Sequence, residues 1–238
     1  MKIFLFVLIT SYGLSVKGQA DTISRIDENL LNSVVNIQKG FFTGTGFIVW
    51  RKNPNGYQFF LVTNKHMLGD YNFVDPFIID SSIVVSLYTT DTSKRHIPIK
   101  ILLKDSSANV LKTVKVHPLH TVDIAVIDIT ANLKKIPNWR IAGVDTSFLI
   151  LLKDISEATG LSLGSQIFTI GYPAGLKLES SNQPIAKVCY VASSLNGTLK
   201  VRTQIVDKKK KAISVVPDGR YFLVDGLIIG GNSGGPII

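Results

Sequence analysis

Gly230-Gly231-Asn232-Ser233-Gly234-Gly235-Pro236 lies close to the end of a 238-residue chain. A serine hydroxyl is a weak nucleophile. It becomes useful only with a base in hydrogen-bond reach and backbone N–H groups aimed at the oxyanion that develops beside it. Glycines on both sides allow backbone conformations closed to other residues and leave room for a carbonyl to approach the chain. Taken alone, the stretch reads equally well as a glycine-rich turn. Two upstream segments supply what it lacks. In Val62-Thr63-Asn64-Lys65-His66 a histidine stands where an apolar strand runs into a loop, a rigid support for a reactive side chain. In Val122-Asp123-Ile124-Ala125-Val126-Ile127 an acid stands at the mouth of a strongly apolar strand, where an ionised carboxylate can accept the other imidazole N–H.

The order His66, Asp123, Ser233 removes one competitor. Gly231-Asn232-Ser233-Gly234-Gly235 formally matches the nucleophile elbow of α/β-hydrolases, but that fold places its acid and histidine after the serine, and only a few residues follow Ser233. Rival bases and acids rank lower. His117 and His120 lie so near Asp123 in sequence that the pairing implies nothing beyond a local contact, and His117-Pro118 reads as a strand end. His96, beside Lys94 and Arg95, is expected on the surface. Asp128 is at an odd offset from Asp123 and so faces the opposite side of the same strand.

Working outward, the rest of the chain reads as strands and turns. Apolar or alternating runs occur at Val34 to Ile37, Gly46 to Trp50, Gln58 to Thr63, Ile83 to Tyr88, Ile97 to Leu103, Leu111 to His117 and Ile124 to Ile129. Asn53-Pro54-Asn55-Gly56 and Asp105-Ser106-Ser107 are turn signals between them. A second set follows at Gln166 to Ile170, Ala186 to Val191, Leu199 to Val206, Ala212 to Val216 and Arg220 to Val224. Residues 21–32 are expected to form a short helical lead-in capped by Asp21, Ser24 or Asp27. Charged residues make up only 18% of the chain against 45% hydrophobic ones, a balance that favours an all-β protein with a sizeable core over a helical bundle.

In this order, the three segments resemble the trypsin-like serine peptidases, closest to their disulfide-free bacterial branch of the HtrA type. Gly44-Thr45-Gly46-Phe47-Ile48-Val49 is similar to the family's early Gly-x-Gly strand. Ile170-Gly171-Tyr172-Pro173-Ala174-Gly175 is similar to the loop leading into its second barrel, and Val224-Asp225 to the strand before the nucleophile. The resemblance implies two six-stranded antiparallel β-barrels of chymotrypsin type with the active site between them. On that resemblance the second barrel is expected to be truncated at the C-terminus, without the strands that follow the serine in the family. Its units would be 21–145, an inter-barrel linker at 146–164, and 165–238. Ser233 would be the nucleophile, His66 the general base and then acid, and Asp123 the group that fixes the imidazole. The N–H groups of Gly231 and Ser233 would form the oxyanion hole. Leu227 would stand at the base of the specificity pocket, giving a preference for small or apolar P1 residues. Asn232 replaces the aspartate with which digestive members pair a newly cut N-terminus, so the oxyanion loop must be ordered by other contacts.

Residues 1–20 read as an export signal, with Lys2 as the basic start, an apolar stretch from Ile3 to Val16, and small residues Gly18 and Ala20 at the cleavage positions. The apolar stretch is shorter than the roughly 20 residues of a spanning helix, so no membrane span is expected after cleavage. A secreted or periplasmic protein follows, and the resemblance implies polypeptide substrates. Cys189 is the single cysteine and excludes an intrachain disulfide; it lies in a probable strand, where a thiol is normally buried and inert. The net charge is +9, and the one dense basic run, Lys208 to Lys211, lacks the aromatic interleaving of a single-strand-binding groove and reads as a hairpin tip, so no nucleic-acid partner is expected. No ligand spacing among the four histidines and the cysteine implies a metal, and no cofactor is expected. A protease-fold module that binds unfolded polypeptide with little or no catalysis is the alternative.

Overall fold

The computed structural model describes residues 26–70, 77–89, 96–119, 122–136, 142–150, 161–175, 183–195, 203–206, 212–215, 223–226 and 230–237, with the backbone of 7–8. The chain is all-β in character. Its main sheet contains β2 (Val34–Lys39), β3 (Phe42–Asn53), β4 (Gly56–Thr63), β7 (Ser82–Tyr88), β8 (His96–Leu102), β9 (Val114–Val116) and β10 (Ala125–Asp128). They run in the order β8-β7-β2-β3-β4-β10-β9, every pair antiparallel, and β11 (Val144–Asp145) adds a parallel pairing on β3. The Lys104–Val110 bridge and the Leu111 N–H donating to Leu103 O at 2.9 Å join the segments next to β8 and β9, the two ends of that order. The sheet is thereby curled around its core.

The curl follows from the alternation of side chains. Along β7 every second residue, Ile83, Val85 and Leu87, is buried, and along β10 Ala125 and Ile127 are. They meet Ile37, Ile48 and Leu61 from β2, β3 and β4 in one apolar cluster. A second cluster on the outer face of the same strands, Val34, Phe47, Val49 and Val62, receives Ile170 and the wholly buried Tyr172 from the later part of the chain. Burial raises the Tyr172 phenol's pKa, and its hydroxyl donates to Val34 O at 3.3 Å.

Turn chemistry joins the strands as the sequence indicates. Asn53 Oδ1 accepts the Asn55 N–H at 3.0 Å, and Gly56 takes a φ of 111° to close the β3–β4 hairpin. Asp105 Oδ1 accepts the N–H groups of Ser107 and Asn109, each at 2.9 Å. Of the expected helical lead-in, residues 21–25 lie outside the described set; α1 spans Glu28–Ser33, and Asp27 caps it by accepting the Asn29 N–H. The run from Leu111 to His117 is a strand only at Val114–Val116, because Leu111 to Thr113 turn back onto Leu103.

The smaller elements are β5 (Gly69–Asp70) paired with β6 (Ile78–Ile79), a short helix α2 (Thr130–Leu133), and β12 (Leu149–Ile150). In the later part, β13 (Gln166–Gly171), β14 (Ile185–Val191) and β17 (Val224–Asp225) form a three-stranded antiparallel sheet. β15 (Thr203–Val206) pairs with β16 (Ala212–Val215) as a hairpin whose connection carries Lys208 to Lys211, residues outside those described. Within the expected export signal only β1 (Val7–Leu8) is described, paired with β12. Of the 146–164 linker, residues 151–160 lie outside the described set. Cys189 is fully buried on β14. Among the described residues no helix is long and apolar enough to cross a membrane.

Leu61, wholly buried at the centre of the curled sheet, offers a direct test of where the stability resides. Leu61→Ala is expected to lower the unfolding free energy by about 2–5 kcal/mol, read from urea titration. Leu102→Ala, at an exposed position, should change it by less than about 0.5 kcal/mol.

Candidate active site

Thr63, the last residue of β4, lies opposite Ala125, the first of β10, in antiparallel register. The chain leaving β4 and the chain entering β10 therefore share one end of the sheet, which is why His66 and Asp123 meet. His66 sits in a 3-10 turn, Lys65–Met67, and its Nδ1 is 2.6 Å from Asp123 Oδ2. The His66 backbone N–H donates to the other carboxylate oxygen at 3.2 Å, and Asn64 Nδ2 donates to Oδ2 at 2.9 Å. Burial by itself raises the pKa of Asp123, but the hydrogen bonds from His66 and Asn64, together with the charge of His66, outweigh it and hold the carboxyl below its ordinary range. A carboxylate bonded this way to Nδ1 presents the ring's Nε2 for proton transfer.

The turn is braced from behind. Lys39 on β2 donates to His66 O at 3.1 Å and Gly69 O at 2.8 Å. Lys65 is 3% exposed and donates to Leu119 O at 2.8 Å; burial lowers its pKa while the negative charge of Asp123 opposes the shift. The rival groups are engaged elsewhere. His117 accepts the Leu119 N–H on Nδ1 at 3.2 Å, and burial, followed by the charge of Lys65, depresses its pKa. Asp128 accepts from Gln58 Nε2 at 2.6 Å and from the Thr130 N–H at 3.0 Å, at the far end of β10. His96 is half-buried rather than exposed, its ring set edge-on to Tyr88 at 5.5 Å, because it pairs with Tyr88 across β7 and β8. His120 and Leu227 lie outside the described residues.

Ser233 and Gly231 line the same cleft as His66, a space of about 370 Å³ with Lys39, Phe42 and Met67 on its other walls. Among the described residues no hydrogen bond joins Ser233 to His66. The loop carrying Ser233 is held through four consecutive carbonyls. Gly230 O accepts from Ala174 N–H at 2.5 Å, Gly231 O from Thr45 Oγ1 at 2.7 Å, Asn232 O from Gly235 N–H at 3.0 Å and Ser233 O from Thr45 N–H at 2.9 Å. Gly231 has a φ of 100°, and a Cβ there would strike Tyr172 O and Ala174 N, so glycine is required. Asn232 Oδ1 is buried with no partner among the described residues, and an ionised aspartate at 232 would be a buried charge without a counter-ion among them.

Asn64 and Thr45 are the residues that motif reading missed. Each was within a quoted segment, Asn64 two positions before His66 and Thr45 between two glycines, but what each bonds depends on pairing across strands. The arrangement as a whole supplies an oriented imidazole, a hydroxyl and ordered backbone amides in one cleft, the parts needed for acyl transfer.

A β-rich domain with these parts in one cleft has the character of a peptidase. Residues 44–238 match the trypsin-like peptidase domain, and the chain belongs to that family. Polypeptides are accordingly its class of substrate. No curated protein matches the sequence significantly. Among solved structures it is similar to the inactive form of the Rv3671c protease, at 18% identity, covering 88% of this chain and 73% of that one, with a TM-score of 0.43. It is also similar to the thermostable serine protease AL20 from an extremophilic microorganism, at 13% identity, 88% and 79% coverage and a TM-score of 0.38.

The depressed Asp123 pKa makes a signed prediction. A carboxyl whose pKa is lower folded than unfolded contributes stability that is present above its unfolded value, about 3.9, and is lost as the pH falls through the folded one. Urea unfolding at a series of acidic pH values should therefore show a shallower pH dependence in Asp123→Asn than in the wild type below about pH 4.

Proposed function

We propose that this protein is an exported serine endopeptidase that hydrolyses peptide bonds through an acyl-enzyme, on two chymotrypsin-type barrels of the disulfide-free bacterial kind. Ser233 attacks the scissile carbonyl, His66 takes its proton and later gives it to the leaving amine, and Asp123 holds the imidazole and stabilises its charged form. The Gly231 and Ser233 N–H groups receive the oxyanion. The observation that carries this reading is the 2.6 Å contact between His66 Nδ1 and Asp123 Oδ2 in the cleft that Ser233 lines. Catalytic hydrogen bonds such as that from Ser233 to Nε2 often tighten only when substrate is bound.

Export is supported by the basic start at Lys2, the apolar stretch to Val16 and the small residues before Asp21. The single cysteine is consistent with the disulfide-free branch. An apolar residue at 227, where digestive relatives that cut after basic residues carry an acid, supports a preference for small or apolar P1 side chains.

Fluorophosphonate labelling tests the mechanism. The wild type should be labelled, Ser233→Ala not at all, and His66→Ala more slowly by a factor on the order of 10⁴ to 10⁶. A folded wild type that takes no label would overturn the enzyme reading in favour of a polypeptide-binding module. Specificity is tested separately with fluorogenic peptides differing only at P1. Alanine, valine or leucine should be preferred over arginine or lysine, and Leu227→Asp should narrow or reverse that order.

A further inference from the structure

We propose that the Thr45 hydroxyl is a positioning residue for catalysis, the contact that orders the oxyanion loop in place of the ion pair that Asn232 cannot make. The inference rests on the serine peptidase reading and adds to it the means by which the loop is held.

Thr45 lies on β3 and is wholly shielded from solvent. Its Oγ1 accepts the Tyr172 N–H at 2.9 Å, so the hydroxyl proton is directed to its other neighbour, Gly231 O, at 2.7 Å. Its own carbonyl accepts from Thr63 Oγ1 at 2.8 Å, which ties the residue to β4, the strand that leads into the His66 turn. One side chain therefore bonds the loop leading from β13 and the nucleophile loop at once, and its backbone is pinned to the strand behind the base.

Peptide planarity converts these bonds into control of the oxyanion donors. The Gly231 N–H lies in the plane of the Gly230 carbonyl, which Ala174 N–H holds, and the Ser233 N–H lies in the plane of the Asn232 carbonyl, which Gly235 N–H holds. Between those two planes is the Gly231–Asn232 peptide, and Thr45 Oγ1 holds its carbonyl. Gly231, with no Cβ and a φ of 100°, offers little resistance to rotation of that peptide. Without the Thr45 hydroxyl the central plane loses that bond, and the orientation of the two flanking N–H groups relative to each other is less firmly set. A residue that bonds a loop carbonyl rather than the substrate should act on the chemical step and leave substrate binding nearly untouched.

The site also accounts for a glycine. A Cβ on Gly171 would come within 2.8 Å of Thr45 Oγ1 and 2.9 Å of Asn232 Oδ1, so the space beside the hydroxyl must stay empty for the loop to approach it.

The test compares wild type, Thr45→Val, which keeps the shape and removes the hydroxyl, and Thr45→Ser, which restores it. Turnover is followed with a fluorogenic peptide carrying an apolar P1 residue. Thr45→Val should lower kcat on the order of 10- to 100-fold with KM within about twofold, less than the loss of an oxyanion donor itself, and Thr45→Ser should recover most of it. Hydrogen–deuterium exchange over residues 230–236 provides a readout independent of activity. Exchange there should rise in Thr45→Val and return toward wild type in Thr45→Ser, with exchange of the β7 and β10 amides unchanged. Equal exchange in all three proteins overturns the proposal, as does a Thr45→Val enzyme with wild-type kcat. An inactive wild type whose loop still loosens in Thr45→Val would overturn the peptidase reading and leave the clamp standing.

Discussion

The cleft depends on one row of the curled sheet. Gly46 of β3, Thr63 of β4 and Ala125 of β10 stand side by side in antiparallel register, and every reactive group in the first part of the chain is placed relative to that row. Beyond Thr63 the chain turns into His66; just before Ala125 it carries Asp123; just before Gly46 it carries Thr45. A slip of one residue in either pairing would send alternate side chains to the opposite face and move these groups apart. The same slip would expose Leu61 and Ile127, so the cost of disturbing the core and the cost of disturbing the site coincide.

Electrostatics then decides what the clustered groups can do. A carboxylate 19% exposed would ordinarily be driven toward its neutral form. Three donors, the His66 ring, the His66 N–H and the Asn64 amide, keep Asp123 ionised and leave it no freedom to rotate away from the imidazole. The buried Lys65 ammonium adds a positive charge nearby while being anchored to Leu119 O, and it discourages protonation of His117, a histidine close in sequence to Asp123. Discrimination between histidines is thus a property of the surroundings, since His66 and His117 are chemically the same residue.

The loop carrying Ser233 shows how two parts of the chain are joined at the cleft. Its carbonyls are held by β3 on one side and by the Tyr172 to Gly175 turn on the other, where Ala174 adopts a left-handed φ of 52°. That conformation is unfavourable for alanine by roughly 1 kcal/mol, and it persists where the N–H it presents is used by Gly230 O. Tyr172, buried among residues of β2, β3 and β4, fastens the turn to the sheet.

Much of this was readable in the sequence. Apolar or alternating runs marked β4, β7 and β10, because a strand packed on one face alternates and one packed on both faces is apolar throughout. The turn residues marked the hairpins, because few residues tolerate those dihedrals. His66, Asp123 and Ser233 stood out because reactive side chains at strand ends beside glycines are seldom needed for packing alone. Register, burial and the partners of neutral polar residues were decided only by the tertiary structure. Nothing local in Thr45 or Asn64 marks the carbonyl or carboxylate it bonds, and nothing local in His96 predicts that its ring packs against Tyr88. A hydrogen bond between residues far apart in the chain is set by which strands pair and at what offset, and that is a property of the folded sheet as a whole.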